Sequence, residues 1–269
     1  MKFDLFRKIR YRKGYGVHSP FVYNLITKVI DEKHVYYAFE EIEKFRKTLE
    51  NENNSLSSIT HNETQTPAYG ALLFRLVNFF KCKTILEIGA STGVMGLYLG
   101  MAAGSQGRCF LLEERNGLLS FLQDFTLARN LQGILCESGS FIEKAPDLLR
   151  RIDQADLIFI NQTPLTSDEE TIFRLFSPFI GQKTILILDN IGRNKERKKM
   201  WNRLKEHPQT RVMIDLDVLG LVFFDEKLSK RRYKAYLNHG KKQNLYENRR
   251  WRLHLFGGRK TGFKNTFPH

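Results

Sequence analysis

Five small residues in a row, Gly89-Ala90-Ser91-Thr92-Gly93, are the first place in this chain where chemistry could sit. They follow a β-branched, apolar run, Thr84–Ile88, whose one charge is Glu87, and they precede Val94–Leu99, which resumes at helical spacing. A strand, a tight turn and a helix start form the crevice at the carboxyl edge of a parallel sheet. Glycine lets backbone approach a ligand closely, and N–H groups at a helix start favour an anionic group. The absence of G-x-G-x-x-G weighs against a dinucleotide, and the absence of G-K-[ST] excludes a P-loop. Glu113 ends the next apolar run, spelled FLLEERN. A carboxylate about 20 residues past such a turn can accept both ribose hydroxyls of a nucleoside. Glu114 takes that place if the strand ends one residue later. Asp189-Asn190 closes a further apolar run, LILDNI, where Asp189 is either a proton acceptor or a cap on the following helix.

The elements that must hold these residues follow from periodicity. Residues 1–16 mix Phe3, Leu5, Phe6 and Ile9 with six cations and read as a short basic amphipathic helix. Ser19-Pro20 is a helix start, with Ser19 as N-cap. Phe21, Leu25, Ile26, Val29 and Ile30 form the buried stripe, and a second helix covers Tyr37–Leu49. The polar stretch Asn51–Glu63 is expected to be a mobile loop. Thr66-Pro67 opens a helix through Phe80. Then strands Arg108–Glu113, Ile134–Cys136, Ala155–Asn161 and Thr184–Asp189 alternate with helices, one of them announced by the capping pattern Ser167-Asp168-Glu169-Glu170. Continuous apolar strands between helices imply a parallel sheet covered on both faces. Arg211–Leu216 and Leu219–Phe224 are too closely linked to be anything but an antiparallel pair.

Composition limits the classes of function. A chain of 269 residues with 42% hydrophobic and 27% charged residues can bury a full core. No apolar run reaches the ~18 residues of a membrane span, and the charged start does not resemble a secretory signal. Cys82, Cys109 and Cys136 lack metal-type spacing and lie in or beside apolar runs, so buried thiols in a reducing cytoplasm are expected. The net charge of +14 is uneven. Of 43 basic and 29 acidic residues, thirteen basic and one acidic lie in 227–269, which leaves 30 and 28 before them. That excess points to RNA or another anionic surface as a partner of the C-terminal extension. The extension has no sustained apolar period, so it is expected to be mobile or ordered only by such a partner. The domain reading is an N-terminal helical extension (1–63), a ligand-binding α/β domain (64–237) and a basic extension (238–269).

An acid two positions before the first glycine, followed by G-x-x-x-G, resembles motif I of class I S-adenosylmethionine (SAM)-dependent methyltransferases. The Ser and Thr between the glycines resemble the caffeoyl-CoA/catechol-type O-methyltransferases. RKGYGVHSPFVYNLI, PAYGALLFRLVNFF, ILEIGASTG, DLIFIN, LILDNI and VMIDLDVLGLVFF together resemble an uncharacterised family of class I methyltransferases of Bacteroidetes-type bacteria, over most of Tyr11–Leu237. The resemblance implies a Rossmann-like α/β fold, a mostly parallel seven-stranded sheet closed by an antiparallel hairpin, with N-terminal helices. It implies SAM bound by Glu87, Gly89, Ala90, Ser91, Thr92, Gly93 and Glu113. Gly139 and Ser140 fall where it expects a Gly-Asp pair near the adenine, so Ser140 offers a hydroxyl instead of an acid. Tyr69 and Gly70 match the part that lies over the cofactor. Asn161, Asp189 and Asn190 fall where it expects the ligands of a divalent metal, and Asn161 is counted here among the cofactor-binding residues. One carboxylate and two amides suit a hard cation poorly, so a metal-free enzyme is expected.

Methyl transfer needs an aligned nucleophile and a water-excluding site. A hydroxyl acceptor also needs a base, and Asp189 and His18 are the candidates. The reading is therefore methyl transfer to a small-molecule acceptor at oxygen. Two alternatives stay open: an RNA methyltransferase using the basic extension, and a binding protein that keeps the fold without catalysis.

Overall fold

Strand alternation decides which side chains meet which helix layer. In the computed structural model, which describes residues 19–52, 55–161, 169–192 and 195–235, β1 (Thr84–Ile88) turns Ile85 and Glu87 to one face and Leu86 and Ile88 to the other. The remaining strands are β2 (Arg108–Glu113), β3 (Ile134–Ser138), β4 (Ala155–Ile160), β5 (Ile180–Asp189), β6 (Val212–Asp215), β7 (Leu219–Phe223) and β8 (Arg231–Lys234). They form one sheet in the order β3-β2-β1-β4-β5-β7-β6-β8. The pairs from β3 to β5 are parallel, and β7 inserts antiparallel to both β5 and β6. This is the expected Rossmann-like sheet with its hairpin. An eighth strand is added, since β8 pairs parallel with β6 at the edge. Three cations in its four residues suit an edge, where charge blocks pairing with other chains.

On the face of Ile85, Leu111 and Phe159 lie the N-terminal helices. These are α1 (Pro20–Leu25), continued by a π-helical turn Ile26–Ile30, then α2 (Tyr37–Glu50), α3 (Ser55–Glu63) and α4 (Pro67–Phe80). α5 (Val94–Ala103) and α6 (Ser120–Ala128) complete that side. The other face is covered by α7 (Phe141–Arg151), α8 (Glu169–Phe176) and α9 (Lys195–Glu206), through Phe141, Phe176, Trp201 and Leu204. Ser19 caps α1 by accepting from the Val22 N–H at 3.4 Å, and Thr66 caps α4 in the same way through Tyr69. α4 ends at Lys81, whose φ of 55° is left-handed. The thiols are as expected for Cys82 and Cys109, which are buried, whereas Cys136 is half-buried.

One expectation is overturned. The stretch expected as a loop, Asn51–Glu63, contains helix α3. Its apolar content is too thin for a periodic signal, and packing supplies what the pattern lacks. Leu56 and Thr60, one turn apart, are buried, and the Thr60 hydroxyl bonds the Leu56 carbonyl at 2.8 Å.

Gly70 in α4 shows how closely these helices approach. A Cβ there would run into the ring of Tyr98 on α5, and Tyr98 is fully buried. Overpacking costs about 1–3 kcal/mol, against a gain of about 1 kcal/mol in helix propensity. With the nearest ring carbon only 2.3 Å from that Cβ, the cost falls at its upper end, and Gly70→Ala is expected to lower stability by about 2 kcal/mol, measured by urea unfolding. A variant as stable as the wild type would show that the α4–α5 contact is looser than described.

All described residues belong to one unit, Met1–Asn238, and the second, His239–His269, lies outside them. Outside them also lie the basic start, His18, Ser167-Asp168 and the basic extension from 236, so the expectations placed there have no structural counterpart here. Among the described residues no helix is long and apolar enough to cross a membrane.

Candidate functional site

β1, β4 and β5 end side by side, and the polar residues at their carboxyl ends are nearly all buried. Gly89 and Gly93 take φ of 78°, as the turn requires, but Ser91 also sits at φ 53°. A non-glycine residue there is strained and persists only where its surroundings hold it. Two carboxylates hold this one. The Ser91 N–H donates to Glu113 Oε2 at 2.6 Å, and its hydroxyl bonds Glu63 Oε2 at 2.7 Å. β2 ends at Glu113, so it is this buried acid, and not Glu114, that meets the turn. Gly89 and Ala90 tie the turn to β2 through the Leu112 carbonyl, at 3.0 and 2.8 Å.

Glu113 and Glu63 share one cation. Arg115 donates through Nε to Glu113 Oε1 at 2.8 Å and through both terminal nitrogens to Glu63, at 2.8 and 2.7 Å. Burial raises the Glu63 carboxyl, but the bonds from Arg115 and Ser91 outweigh it and leave its pKa below the usual value. The next two residues continue across the crevice. Thr64 lies 3.4 Å from Thr92, hydroxyl to hydroxyl, and Gln65 Nε2 donates to Asp189 Oδ2 at 2.9 Å. The connection between α3 and α4 is thus a strap over the turn, tied to β1, β2 and β5. Sequence reasoning missed Glu63, Thr64, Gln65 and Arg115. Their partners lie 28, 52 and 124 positions away for the strap, which no local pattern signals.

Glu87 occupies a core position on β1. Burial pushes its carboxyl up to about 8, against the hydrogen bond that Asn161 Nδ2 donates to Oε1 at 3.1 Å. Its Oε2 is buried with no hydrogen-bond partner among the described residues. Gly96 makes the room: a Cβ there would lie 3.0 Å from that oxygen and 2.5 Å from Leu111.

Asp189, at the end of β5, is fully buried. Oδ1 accepts from the Tyr69 hydroxyl at 2.7 Å, and Oδ2 accepts from Gln65 and from Asn190 Nδ2 at 3.0 Å. Burial raises its pKa, while the Tyr69 bond and the nearby Arg197 charge oppose that rise. Burial and Asp189 push the Tyr69 hydroxyl well above its usual value, so Tyr69 keeps its proton and donates it as a hydrogen bond to Asp189. Ser140 caps α7 by accepting from the Ile142 N–H at 3.2 Å, and Gly139, at φ 124°, bonds the Glu113 carbonyl at 2.9 Å. Ser140-x-x-Glu143 is a capping-box spelling, so this role was readable in the sequence.

The three positions at which a divalent metal would be expected do not fit one. Asn161 turns its amide N–H to Glu87, both Asp189 oxygens already accept from neutral donors, and the guanidinium of Arg197 donates to the Asn161 carbonyl at 2.5 Å. A hard cation needs several free anionic oxygens, and a buried guanidinium beside them repels it.

No protein-family model and no curated protein matches the chain. Solved structures do. The chain is similar to the O-methyltransferase from Bacillus cereus in complex with SAH, with 17% identity over 71% of this chain and 92% of that one (TM-score 0.55). It is similar to the SAH-bound methyltransferase from Podospora anserina (13% identity, 71% and 88% covered, TM-score 0.54). It is similar also to the O-methyltransferase TomG from Streptomyces achromogenes, involved in tomaymycin synthesis and complexed with SAM (13% identity, 71% and 91% covered, TM-score 0.54). At these identities the likeness establishes the fold, which is that of class I methyltransferases.

Proposed function

We propose that the chain is a SAM-dependent methyltransferase that methylates a small-molecule acceptor at oxygen. The observation that carries this reading is the buried carboxylate of Glu113, held against the backbone of the Ser91 turn in a sheet of class I methyltransferase topology. Neighbours of the same fold hold SAH or SAM, and two of the three are O-methyltransferases. The residues present suit the cofactor: Gly93 at φ 78° lets the turn pass close to a ligand, and Glu87 offers a buried acid oxygen without a hydrogen-bond partner among the described residues. Glu87, Gly89–Gly93 and Glu113 would hold it, with Gly139 and Ser140 at the rim. SAM supplies a methyl group activated by a sulfonium. Asp189 supports the choice of oxygen, because a carboxylate whose pKa is raised by burial is a better proton acceptor than an exposed one. In this reading the acceptor hydroxyl replaces Gln65 on Oδ2 and passes its proton there, while Tyr69 holds Oδ1 and fixes the carboxylate plane.

Calorimetry with SAM and SAH tests the cofactor, and transfer of labelled methyl from SAM to a panel of hydroxylated small molecules tests the reaction. Binding without transfer to any acceptor favours the non-catalytic alternative; no binding of either nucleoside overturns the proposal. The pH dependence is specific. With its pKa near 8, Glu87 is largely protonated at pH 7 in the free protein. A cationic ligand nearby favours the carboxylate, so binding releases a proton below pH 8, and affinity rises with pH up to that point and then levels. Calorimetry in two buffers of different ionisation enthalpy is expected to show this release, and Glu87→Gln is expected to lose it. Equal release from wild type and variant would remove Glu87 from the cofactor's neighbourhood.

A further inference from the structure

α9 opens on Lys195-Glu196-Arg197-Lys198-Lys199, and of those four cations only Arg197 is buried, at 5% exposure. It stands at position i of a stripe completed by Met200, Trp201 and Leu204, at i+3, i+4 and i+7, so the helix turns it inward with its core face. That place is costly twice over. A buried guanidinium loses several kcal/mol of hydration unless it is well paired. The first turn of a helix is also the positive end of its dipole and disfavours a cation. Helix stability therefore does not account for Arg197.

Its surroundings do. Nη2 donates to the carbonyl of Asn161 at the end of β4, at 2.5 Å, and its charge acts on Asp189 at the end of β5 and on Tyr69. Asp189 is fully buried, and Tyr69, Gln65 and Asn190, which donate to it, are all neutral. A carboxylate buried among neutral groups would take up a proton, and Arg197 is the positive charge that opposes this.

We infer that Arg197 is a positioning residue that supplies, from the chain itself, the positive charge that a divalent cation would bring to the ends of β4 and β5. This rests on the reading of Asp189 as the site carboxylate. Arginine suits the role because it stays charged when buried and its planar fork bonds a strand-end carbonyl in a fixed direction. Asn161 completes the arrangement: its amide N–H serves Glu87 and its main-chain carbonyl serves the guanidinium, and where a carboxylate would serve a metal it brings only a neutral amide.

The test is uptake of Mn²⁺ by the full chain without cofactor, followed by loss of the free-ion electron paramagnetic resonance signal. Wild type and Arg197→Lys are expected to take up none to about 1 mM, the weak end of protein cation sites. Arg197→Gln is expected to gain a site at least about tenfold tighter than any in wild type, which Asp189→Asn in the same chain abolishes. A purely structural arginine would give a less stable variant with no such gain. Stoichiometric uptake by wild type that Asp189→Asn removes overturns the inference, as does folded Arg197→Gln that takes up none. Should Arg197→Gln not fold, Asn161→Asp decides. With Arg197 as the resident cation, the new carboxylate, which faces Glu87 and takes away its amide donor, lowers the melting temperature but brings no Mn²⁺ uptake; uptake by Asn161→Asp overturns the inference. None of these readings depends on SAM, so failure here is distinguishable from failure of the cofactor proposal.

Discussion

Glu43→Ala is expected to cost about 3–5 kcal/mol of stability, because it strands a charge inside the protein. Glu43 on α2 accepts from Arg46 Nε through both oxygens at 3.0 Å and from the Tyr98 hydroxyl on α5 at 2.8 Å. The side chains of Glu43 and Arg46 are 6% and 8% exposed, so water cannot take over when the acid is removed. Among the described residues Arg46 Nη2 already lacks a hydrogen-bond partner, which leaves the guanidinium without reserve. The melting temperature is expected to fall by on the order of 10 °C. Replacing all three groups by apolar ones, Glu43→Leu with Arg46→Met and Tyr98→Phe, is expected to recover most of the loss, since a well-packed apolar cluster often matches a buried ion pair. Urea unfolding checks both. A Glu43→Ala variant of wild-type stability would show that water reaches this pair.

Glu113→Ala is expected to weaken SAM binding by about 1.5–3 kcal/mol, roughly 10- to 150-fold, the range for hydrogen bonds to a charged group. The structure adds a second effect. The Ser91 N–H, held at a left-handed φ, loses its acceptor, and Arg115 keeps only Glu63. Glu113→Gln leaves an acceptor oxygen for Ser91 and removes the charge, so it separates turn geometry from cofactor affinity. Calorimetry with SAM reads the affinity, and circular dichroism confirms the fold. If folded Glu113→Ala binds SAM as tightly as wild type, Glu113 is outside the site.

Most of the frame was legible because strands and glycine turns are local. β1 through β5, the hairpin of β6 and β7, and Glu113 at a strand end all follow from runs of a few residues. What escaped depends on distance. α3 has only Leu56 and Thr60 to bury, too few to show a period, and it becomes a helix because α2 lies against it. Its last residue, Glu63, then reaches Arg115 and Ser91, contacts made only by folding back. Arg197 is an intermediate case. Its phase with Met200, Trp201 and Leu204 was visible, but in a helix so rich in lysine and arginine the charge reads first as solvated surface.

The sheet order has a consequence for the nascent chain. β5 carries Ile185, Leu186, Ile187 and Leu188, and its second neighbour is β7, made only after α9 and β6. At about 5–20 residues per second, synthesis from Asp189 to Phe223 takes roughly 2–7 s. For that time the apolar run Ile185–Leu188 leaves the ribosome with one side unpaired, a template for any other extended chain nearby. A ribosome that stops short of Leu219 leaves that side open for good. Truncated products of this gene are therefore expected in the insoluble fraction, and synthesis of the intact chain is expected to lean on a chaperone that shields β5 until β7 arrives.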